Sequence, residues 1–349
     1  MSASHHTLWQ QLKAQHLVQG EAPILEATSP WFVKSMLAFV GWLGALFIML
    51  FVFSAFPSLI DNPKICFILS VPLFLLSYFI LTKPNNDFFE HVALAISFAA
   101  QGLVLFALYE WLSNSTFLIL FAILQGVLVL LMPNLLHRIF STLVASLCVS
   151  FYLLDLGASQ VVTSMLAIPL VWLCLNEFRY QSKYSLISGL VYGLSLSILF
   201  LQLADVFVSS QALGIYKDVR PWSISPWDSR LLYVIAMFYS VWKLLQVVPL
   251  NQHDKWFRLV FAVTGIFTLL SLNAQGIGLG IVMLMLGFAR SNRILITLGI
   301  LALMLYCSAY YYQMQETLLV KSAILMAIAI FAFICRWLLN HFAPASRER

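Results

Sequence analysis

The sequence predicts an all-α, polytopic integral membrane protein with about twelve transmembrane helices, and two observations support this fold class. Apolar residues make up 62% of the 349 residues and charged residues only 9%, whereas soluble domains carry roughly 45–50% and about 25%. So few polar residues cannot cover the apolar surface in water, and the surplus must face lipid. The apolar residues also form runs long enough to cross a bilayer, separated by short polar or proline-bearing breaks.

The amino-terminal segment is the only sizeable polar stretch before the apolar runs begin. Leu8, Leu12 and His16 recur at a spacing of four, which predicts a short amphipathic helix that ends before Pro23. We expect residues 1–34 to form a cytoplasmic segment at the membrane surface. The segment lacks the basic head, apolar stretch and small-residue site of a cleavable signal peptide, so we expect none.

Twelve apolar runs follow, and each is placed by the breaks around it. A bilayer core about 30 Å thick needs about 20 residues of helix, with roughly 17 to 25 tolerated. The predicted spans are 35–56, 65–81, 92–111, 117–132, 139–154, 161–176, 186–203, 231–248, 256–272, 274–289, 294–310 and 318–337. They form one transmembrane domain, 35–339, which precedes a cytoplasmic tail, 340–349.

The distribution of basic residues supports the count of twelve with both termini cytoplasmic. Fourteen of the 19 Lys and Arg residues then lie inside. The outer side keeps five: Lys64, Lys217, Arg220, Arg230 and Lys321. Merging the ninth and tenth spans would leave ten inside and nine outside, against the preference of Lys and Arg for cytoplasmic loops. The net charge of +5 therefore reports topology, and no basic stripe indicates nucleic-acid binding.

Most connections are very short, so we expect sequential helices to be antiparallel neighbours. The external loop 205–230 is the exception. It carries Trp222 and Trp227, each directly after a proline, and a long mixed-charge loop of this kind is a candidate surface for binding a partner. Interfacial anchoring of the two tryptophans is the alternative.

A second outer candidate lies at the end of the eleventh span. Tyr310, Tyr311 and Tyr312 are consecutive, and Glu316 and Lys321 follow them. These side chains can anchor a helix end, with the lysine extending towards water. They also form a cluster of donors and acceptors that could grip a partner protein or a lipid head group.

A glycine-rich string separates the ninth and tenth spans. Asn273, Gln275, Gly276, Gly278 and Gly280 fall within eight residues. Glycine permits irregular backbone, which membranes tolerate only where it is buried or lines a cavity, so the string is a candidate broken helix. The favoured alternative is a tight outer turn followed by a small-residue packing face.

Ionisable side chains are scarce in the middle of the predicted spans. Four acidic residues fall within about one turn of a span end, where we expect water to reach them: Glu110, Asp155, Asp205 and Glu177. The deep polar residues are neutral amides, Gln101, Gln125 and Gln202, which more often join neighbouring helices than bind substrate. The lack of a buried carboxylate argues against an ion-coupled carrier.

No pattern indicates catalysis, a cofactor or a metal. His91, His137, His253 and His341 stand singly at predicted cytoplasmic span ends, where we expect interfacial placement. The five cysteines lie inside apolar runs without paired spacing, so no disulfide framework is expected. No nucleophile, metalloprotease, phosphate-loop or dinucleotide motif is present. We therefore expect a protein that is not an enzyme and has no cofactor.

Several short sequence strings resemble those of a known protein family. They are Leu8-Trp9 and Gly20-Glu21-Ala22-Pro23, Pro30-Trp31 and Gly41-Trp42-Leu43, and the late strings Ser291-Asn292-Arg293, Tyr310-Tyr311-Tyr312 and Thr317-Leu318-Leu319-Val320-Lys321-Ser322. In these the chain resembles a family of uncharacterised bacterial polytopic inner-membrane proteins, classed only as a domain of unknown function. Members are often encoded beside a small membrane-anchored protein with a Gly-Asp-Tyr-x-x-Leu-x-Tyr motif. The resemblance implies such a partner and no catalytic residues.

The leading functional hypothesis is a non-catalytic component of an envelope complex in the bacterial inner membrane. It would be surrounded by lipid and bind a partner protein at its outer face. A transporter or lipid flippase built around the glycine-rich string is the alternative. An intramembrane enzyme would require Glu110, Asp155 or Asp205 to converge in space, since the three share one predicted side.

Overall fold

The structure is a computed structural model of the chain. It describes residues 9, 13–15, 31–55, 57, 62–83, 87–112, 115–155, 159–209, 226–247, 255–272, 275–313, 317–323, 326, 330, 333 and 337. Most of the predicted segment 1–34, the centre of the external loop and the tail 340–349 lie outside these residues. All regular secondary structure in the described residues is helical, which confirms the all-α prediction.

The helices follow one another in the order of the predicted spans. They are α1 (Trp31–Ala55), α2 (Pro63–Thr82), α3 (Asp87–Trp111), α4 (Thr116–Leu131), α5 (Leu135–Asp155), α6 (Ser159–Asn176), α7 (Tyr184–Ser209), α8 (Pro226–Val247), α9 (Lys255–Leu270), α10 (Gln275–Ala289) and α11 (Arg293–Gln313). A 3-10 segment, Glu177–Lys183, joins α6 to α7. Each of the first eleven predicted spans overlaps one of these helices, and residues 318–323 are helical as well.

Five helical segments of the described residues are long and apolar enough to cross a bilayer, and one of them begins in the 3-10 segment before α7. These segments are Pro63–Thr82, Phe88–Trp111, Leu135–Leu153, Arg179–Ala204 and Arg293–Tyr312. Shorter apolar helices accompany them in the described part of the chain, among them Thr116–Leu131 and Gly276–Ala289. These lengths and compositions are those of a membrane protein, while the count of twelve spans stays a prediction.

Three helices begin at residues suited to the first turn of a helix, where the backbone N–H groups have no partner within the helix. Pro63 occupies the first turn of α2, where its missing N–H costs nothing. Asn134 precedes α5, and its Oδ1 accepts a hydrogen bond from the His137 backbone N at 2.9 Å. Asn292 does the same for α11, accepting from the Leu295 backbone N at 3.2 Å. Asparagine is among the preferred residues for this capping role.

The packing order differs in part from the expectation that sequential helices are neighbours. The pairs α2–α3, α4–α5 and α10–α11 do pack along each other, but α5 packs more extensively on α7 than on α6, and α1 packs on α3. Two glycines of α7 account for the α5–α7 contact. A Cβ at Gly189 would lie 2.7 Å from Arg138 Cβ, and one at Gly193 would lie 2.5 Å from Thr142 Cβ. Only glycine lets the two backbones approach this closely.

Buried apolar and buried polar residues occupy different parts of the molecule. The largest apolar cluster is formed mainly by α6, α7, α8 and α10 and includes Tyr233, Ile198 and Met283. Between α3, α4 and α5 the buried residues include several polar side chains, among them His137 and Gln125. Large apolar side chains are exposed along the outside of α1 and α2, as expected of surfaces that face lipid.

Candidate functional site

A polar network centred on His137 lies between α3 and α5. The His137 side chain is completely buried. Its Nε2 lies 2.8 Å from Ser97 Oγ and 3.2 Å from Gln101 Nε2, and its Nδ1 lies 3.3 Å from Ser141 Oγ. The Gln101 amide nitrogen can only donate, so His137 Nε2 accepts from it, and the N–H of the neutral ring is assigned to Nδ1, which donates to Ser141 Oγ.

The network continues into α4 through two amides. Gln125 Nε2 donates to Gln101 Oε1 at 2.9 Å, and Gln125 is fully buried. In the other half of the bundle, Gln202 Nε2 donates to Thr163 Oγ1 at 3.0 Å. The prediction that these deep amides join neighbouring helices is confirmed. The Gln125 Oε1 atom is buried and has no hydrogen-bond partner among the described residues, so this part of the network retains one unused acceptor.

The network reaches the ends of the helices through Asn134 and Glu90. Asn134 is only 7% exposed, and its Oδ1 holds the His137 backbone N while its Nδ2 donates to Glu90 Oε1. Glu90 is half-buried. Among the described residues no Lys or Arg forms an ion pair with its carboxylate.

Glu90 and Asn134 line a cavity of about 310 Å³. The cavity lies between the end of α2, the start of α3, the α4–α5 turn and the start of α7. Its lining consists of Ile80, Leu81, Phe89, Glu90, Pro133, Asn134, Leu135 and Ser185. The Ser185 hydroxyl accepts a hydrogen bond from Arg138 Nη1 at 2.9 Å, and Arg138 Nε donates to the Val129 carbonyl at 3.2 Å. One side of the cavity is therefore anionic, and a guanidinium lies one hydrogen bond away on another side.

Sequence reasoning did not single out this site. It placed His137 and His91 singly at water-facing span ends, whereas the His137 ring is buried among partners from α3 and α5 and His91 is only 6% exposed. The interfacial prediction is therefore wrong for both residues. A signal was present, because Ser97 and Gln101, like His137 and Ser141, are four residues apart. Residues at that spacing share a helix face, so two polar faces were available to meet.

The four acidic residues at span ends differ in exposure. Glu110 and Asp155 are exposed, as expected, and Asp155 Oδ2 accepts a hydrogen bond from Ser115 Oγ at 2.6 Å. The Asp205 side chain lies outside the described residues. The expectation is wrong for Glu177, which is only 4% exposed. Its Oε1 accepts a hydrogen bond from Ser188 Oγ at 2.9 Å, because the 3-10 segment folds it against the start of α7.

Arg290 fixes the corner beside Glu177. Its Nε donates to the Cys174 carbonyl at 2.8 Å and its Nη2 to the Leu175 carbonyl at 2.9 Å. These carbonyls belong to the last turn of α6, and carbonyls at helix ends commonly accept from side chains outside the helix. The guanidinium therefore ties the α10–α11 turn to the end of α6.

The predicted outer corner is described in part. The rings of Tyr311 and Tyr312 meet edge to face, with centroids 5.7 Å apart and an interplanar angle of 85°. Lys321 Nζ lies 5.0 Å from the centroid of the Tyr311 ring. Tyr312 is 81% exposed and Tyr310 is exposed on the same turn. Glu316 lies outside the described residues. Trp222 does too, and Trp227 is described only as a backbone position at the start of α8.

Most of the glycine-rich string belongs to a continuous helix, α10. Gln275 begins α10, and Gly276, Gly278 and Gly280 are helical and buried, whereas Asn273 lies outside the described residues. A Cβ at Gly276 would lie 3.1 Å from the Tyr306 ring and one at Gly280 would lie 3.1 Å from Leu303.

Gly278 meets a tyrosine hydroxyl. A Cβ there would overlap Tyr233 Oη, which lies 2.7 Å from Ser271 Oγ. The three described glycines thus form a packing surface for neighbouring side chains. Helix α10 is unbroken from Gly276 to Gly280.

The fold and these sites define the class of protein. The described residues are all-helical, with long apolar helices, exposed apolar side chains and hydrogen bonds between polar side chains of different helices. These features are typical of a membrane protein. Residues 30–342 match the family described as "Domain of unknown function (DUF4401)", and the chain belongs to that family. This confirms the resemblance at the level of a family of unknown function. No curated protein and no solved structure matches the chain.

Proposed function

We propose that the protein is a non-catalytic component of a membrane complex that binds a partner protein through its outer face. In this proposal the chain spans a bacterial inner membrane twelve times with both termini in the cytoplasm. The partner is the small membrane-anchored protein with the Gly-Asp-Tyr-x-x-Leu-x-Tyr motif, and the protein needs no cofactor.

The observation that carries the proposal is the arrangement of Tyr311, Tyr312 and Lys321. The Tyr311 ring is held by an edge-to-face contact on one side and by the lysine ammonium on another. Such contacts contribute about 0.5–1.5 kcal/mol each, so Tyr312 is displayed on a partly ordered surface. Tyrosine is enriched at interface hot spots because it offers a large contact area and a hydroxyl on a stiff side chain.

The proposal is tested by affinity purification of the full chain from membranes in mild detergent. We expect recovery of one specific membrane-anchored protein. Tyr312→Ala and Tyr311→Ala should each reduce that recovery about tenfold or more, which corresponds to loss of a contact worth 1.4 kcal/mol or more. Because Trp227 belongs to the same predicted outer face, Trp227→Ala should also weaken recovery.

Tyr109→Ala is the matched control. Tyr109 is an exposed tyrosine at the end of α3, on the same predicted side, and it contacts Phe117 edge to face with centroids 5.5 Å apart. Recovery should be unchanged for this variant. Recovery of the chain alone, or an equal loss for Tyr109→Ala and Tyr312→Ala, would overturn the proposal.

A transporter or lipid flippase is the second candidate, and the cavity beside Glu90 is the observation that favours it. The cavity adjoins a hydrogen-bonded chain of polar side chains that runs between the helices, whereas the described glycines of α10 serve packing. Reconstitution into vesicles with a fluorescent phospholipid in one leaflet tests this function. Accelerated transbilayer movement that Glu90→Gln abolishes would support it, and movement at the protein-free rate would exclude flipping of that lipid.

A further inference from the structure

The cavity beside Glu90 contains a carboxylate that no Lys or Arg of the described residues pairs with. Glu90 Oε1 accepts from Asn134, and no ion pair neutralises the carboxylate among the described residues. A half-buried carboxylate is only partly solvated, and a cation with hydrogen-bond donors binds such a group more strongly than water does. The cavity therefore favours a positively charged ligand at Glu90.

The carboxylate is held in place before any ligand arrives. Asn134 is buried and fixed through its Oδ1 by the His137 backbone N, so its Nδ2 approaches Glu90 from a defined direction. A hydrogen bond from a buried, fixed side chain holds a binding group in position and so lowers the entropic cost of binding.

A positive charge lies at another side of the same cavity. Ser185 lines the cavity and accepts from Arg138 Nη1 at 2.9 Å. Arg138 also donates from Nε to Val129, and among the described residues no carboxylate neutralises it. A ligand that joins a cation to an anion would match both sides, with its anionic group towards Ser185 and Arg138.

The cationic group is a primary ammonium. A quaternary ammonium has no N–H donor and is normally recognised by several aromatic faces, but among the described residues that line the cavity only Phe89 is aromatic. A primary ammonium offers three donors to the carboxylate and its neighbours. The volume of about 310 Å³ is at the small end of ligand cavities and suits a head group.

We propose that this cavity binds a primary ammonium joined to a phosphate, the chemistry of an ethanolamine phospholipid head group. Apolar residues adjoin the polar ones, and Phe89 and Leu135 are exposed at the rim, where acyl chains can lie. Free phosphoethanolamine carries the same chemistry, so the test includes both sources. The cavity is at the opposite end of the helices from Tyr311 and Tyr312, and the proposal does not depend on the partner-binding function.

The test uses the full chain in detergent and native mass spectrometry of bound lipid. Phosphatidylethanolamine is compared with its mono-, di- and trimethylated forms, all with the same acyl chains. We expect affinity to fall at each methylation, by about tenfold or more in total, because each step removes an N–H donor from a charge-assisted hydrogen bond. Equal affinity for the four lipids would overturn the proposal.

Glu90→Gln keeps the size of the side chain and its acceptor for Asn134 but removes the charge. It should abolish the preference for ethanolamine, whereas Glu110→Gln, the same change at the exposed end of the same helix, should retain it. A preference that survives Glu90→Gln would also overturn the proposal. If the Glu90→Gln variant does not fold, the methylation series on the unaltered protein still tests whether the cavity prefers a primary ammonium.

Free phosphoethanolamine distinguishes the two sources of the ligand. Displacement of the lipid by millimolar phosphoethanolamine would support a soluble ligand, and failure to displace it would support the phospholipid. Recovery of the partner protein by the Glu90→Gln variant should equal that of the unaltered chain. Failure of the lipid experiment is therefore distinguishable from failure of the partner-binding proposal.

Discussion

His137 has a hydrogen-bond partner on each ring nitrogen although its side chain is fully buried. Replacement by leucine keeps most of the volume but leaves Ser97, Gln101 and Ser141 without that partner. An unsatisfied buried polar group costs about 1–3 kcal/mol, and hydrogen bonds between membrane helices are often worth less. We expect His137→Leu to lower the free energy of unfolding by about 1–3 kcal/mol in mixed-micelle denaturation.

Ser150→Ala is the control in the same helix. Ser150 is buried, but its hydroxyl has no hydrogen-bond partner in the described part of the chain, so removing the hydroxyl should change stability by less than about 0.5 kcal/mol or raise it slightly. Equal losses for His137→Leu and Ser150→Ala would mean that the network around the imidazole contributes no specific stability.

Individual side-chain roles were the least predictable part of the site. The amides Gln101 and Gln125 could be interpreted from the sequence because a polar group deep in an apolar run has few options other than a neighbouring helix. Glu90, Asn134 and Ser185 lie at helix ends, where water is the default partner. Their meeting depends on how three separate helix ends come together, and no local spacing encodes that.

At the scale of the element, the contact of α5 with α7 depends on missing side chains. At Gly193 a Cβ would lie 2.5 Å from Thr142 Cβ and 2.8 Å from the Ile139 carbonyl oxygen. Gly193→Ala therefore forces the two helices apart. We expect a loss of about 1–3 kcal/mol in the free energy of unfolding, the usual cost of overpacking.

Gly126→Ala tests the same change in open surroundings. Apart from α4 itself, no atom of the described residues lies within 4 Å of the position that its Cβ would take. Alanine has the higher helix propensity, so this variant should be neutral or more stable by up to about 1 kcal/mol. If Gly193→Ala were as well tolerated as Gly126→Ala, the close α5–α7 approach would not be a feature of the folded protein.

The helices themselves were predictable, but their packing partners only in part. Hydropathy alone places α2, α3 and α11 because a run of about 20 apolar residues has few alternatives to a helix in lipid. Helix pairing depends on which faces meet. Gly189 and Gly193, four residues apart, carried that information for α7, but glycines at this spacing occur in other helices where they meet side chains and not a backbone, as at Gly276 and Gly280.

At the scale of the whole molecule, the number of crossings depends on α9 and α10. The two helices have 16 and 15 residues, or about 24 and 22 Å, which is short for a bilayer core of about 30 Å. A single helix over 255–289 would be about 50 Å long, so one crossing fits worse than two short ones, which thinning of the bilayer can accommodate. The distribution of Lys and Arg also favours two.

Reporter fusions distinguish the two topologies. With twelve spans, a fluorescent protein fused after Arg293 lies in the cytoplasm and fluoresces, and alkaline phosphatase fused there is inactive. Fusions after Gln313 should give the reverse pattern. If 255–289 crosses only once, both patterns invert, and fusions after Lys83, which precede this region, should be unaffected in either case.

The Arg290 contact sets an order of events during synthesis. The guanidinium binds the carbonyls of Cys174 and Leu175, residues made about 115 positions earlier in the chain. At roughly 5–20 residues per second, the ribosome needs about 6–23 s to cover that distance. Throughout this interval the last turn of α6 exists without the two hydrogen bonds from Arg290. The contact between the end of α6 and the α10–α11 turn can therefore form only after part of the last third of the chain has been synthesised.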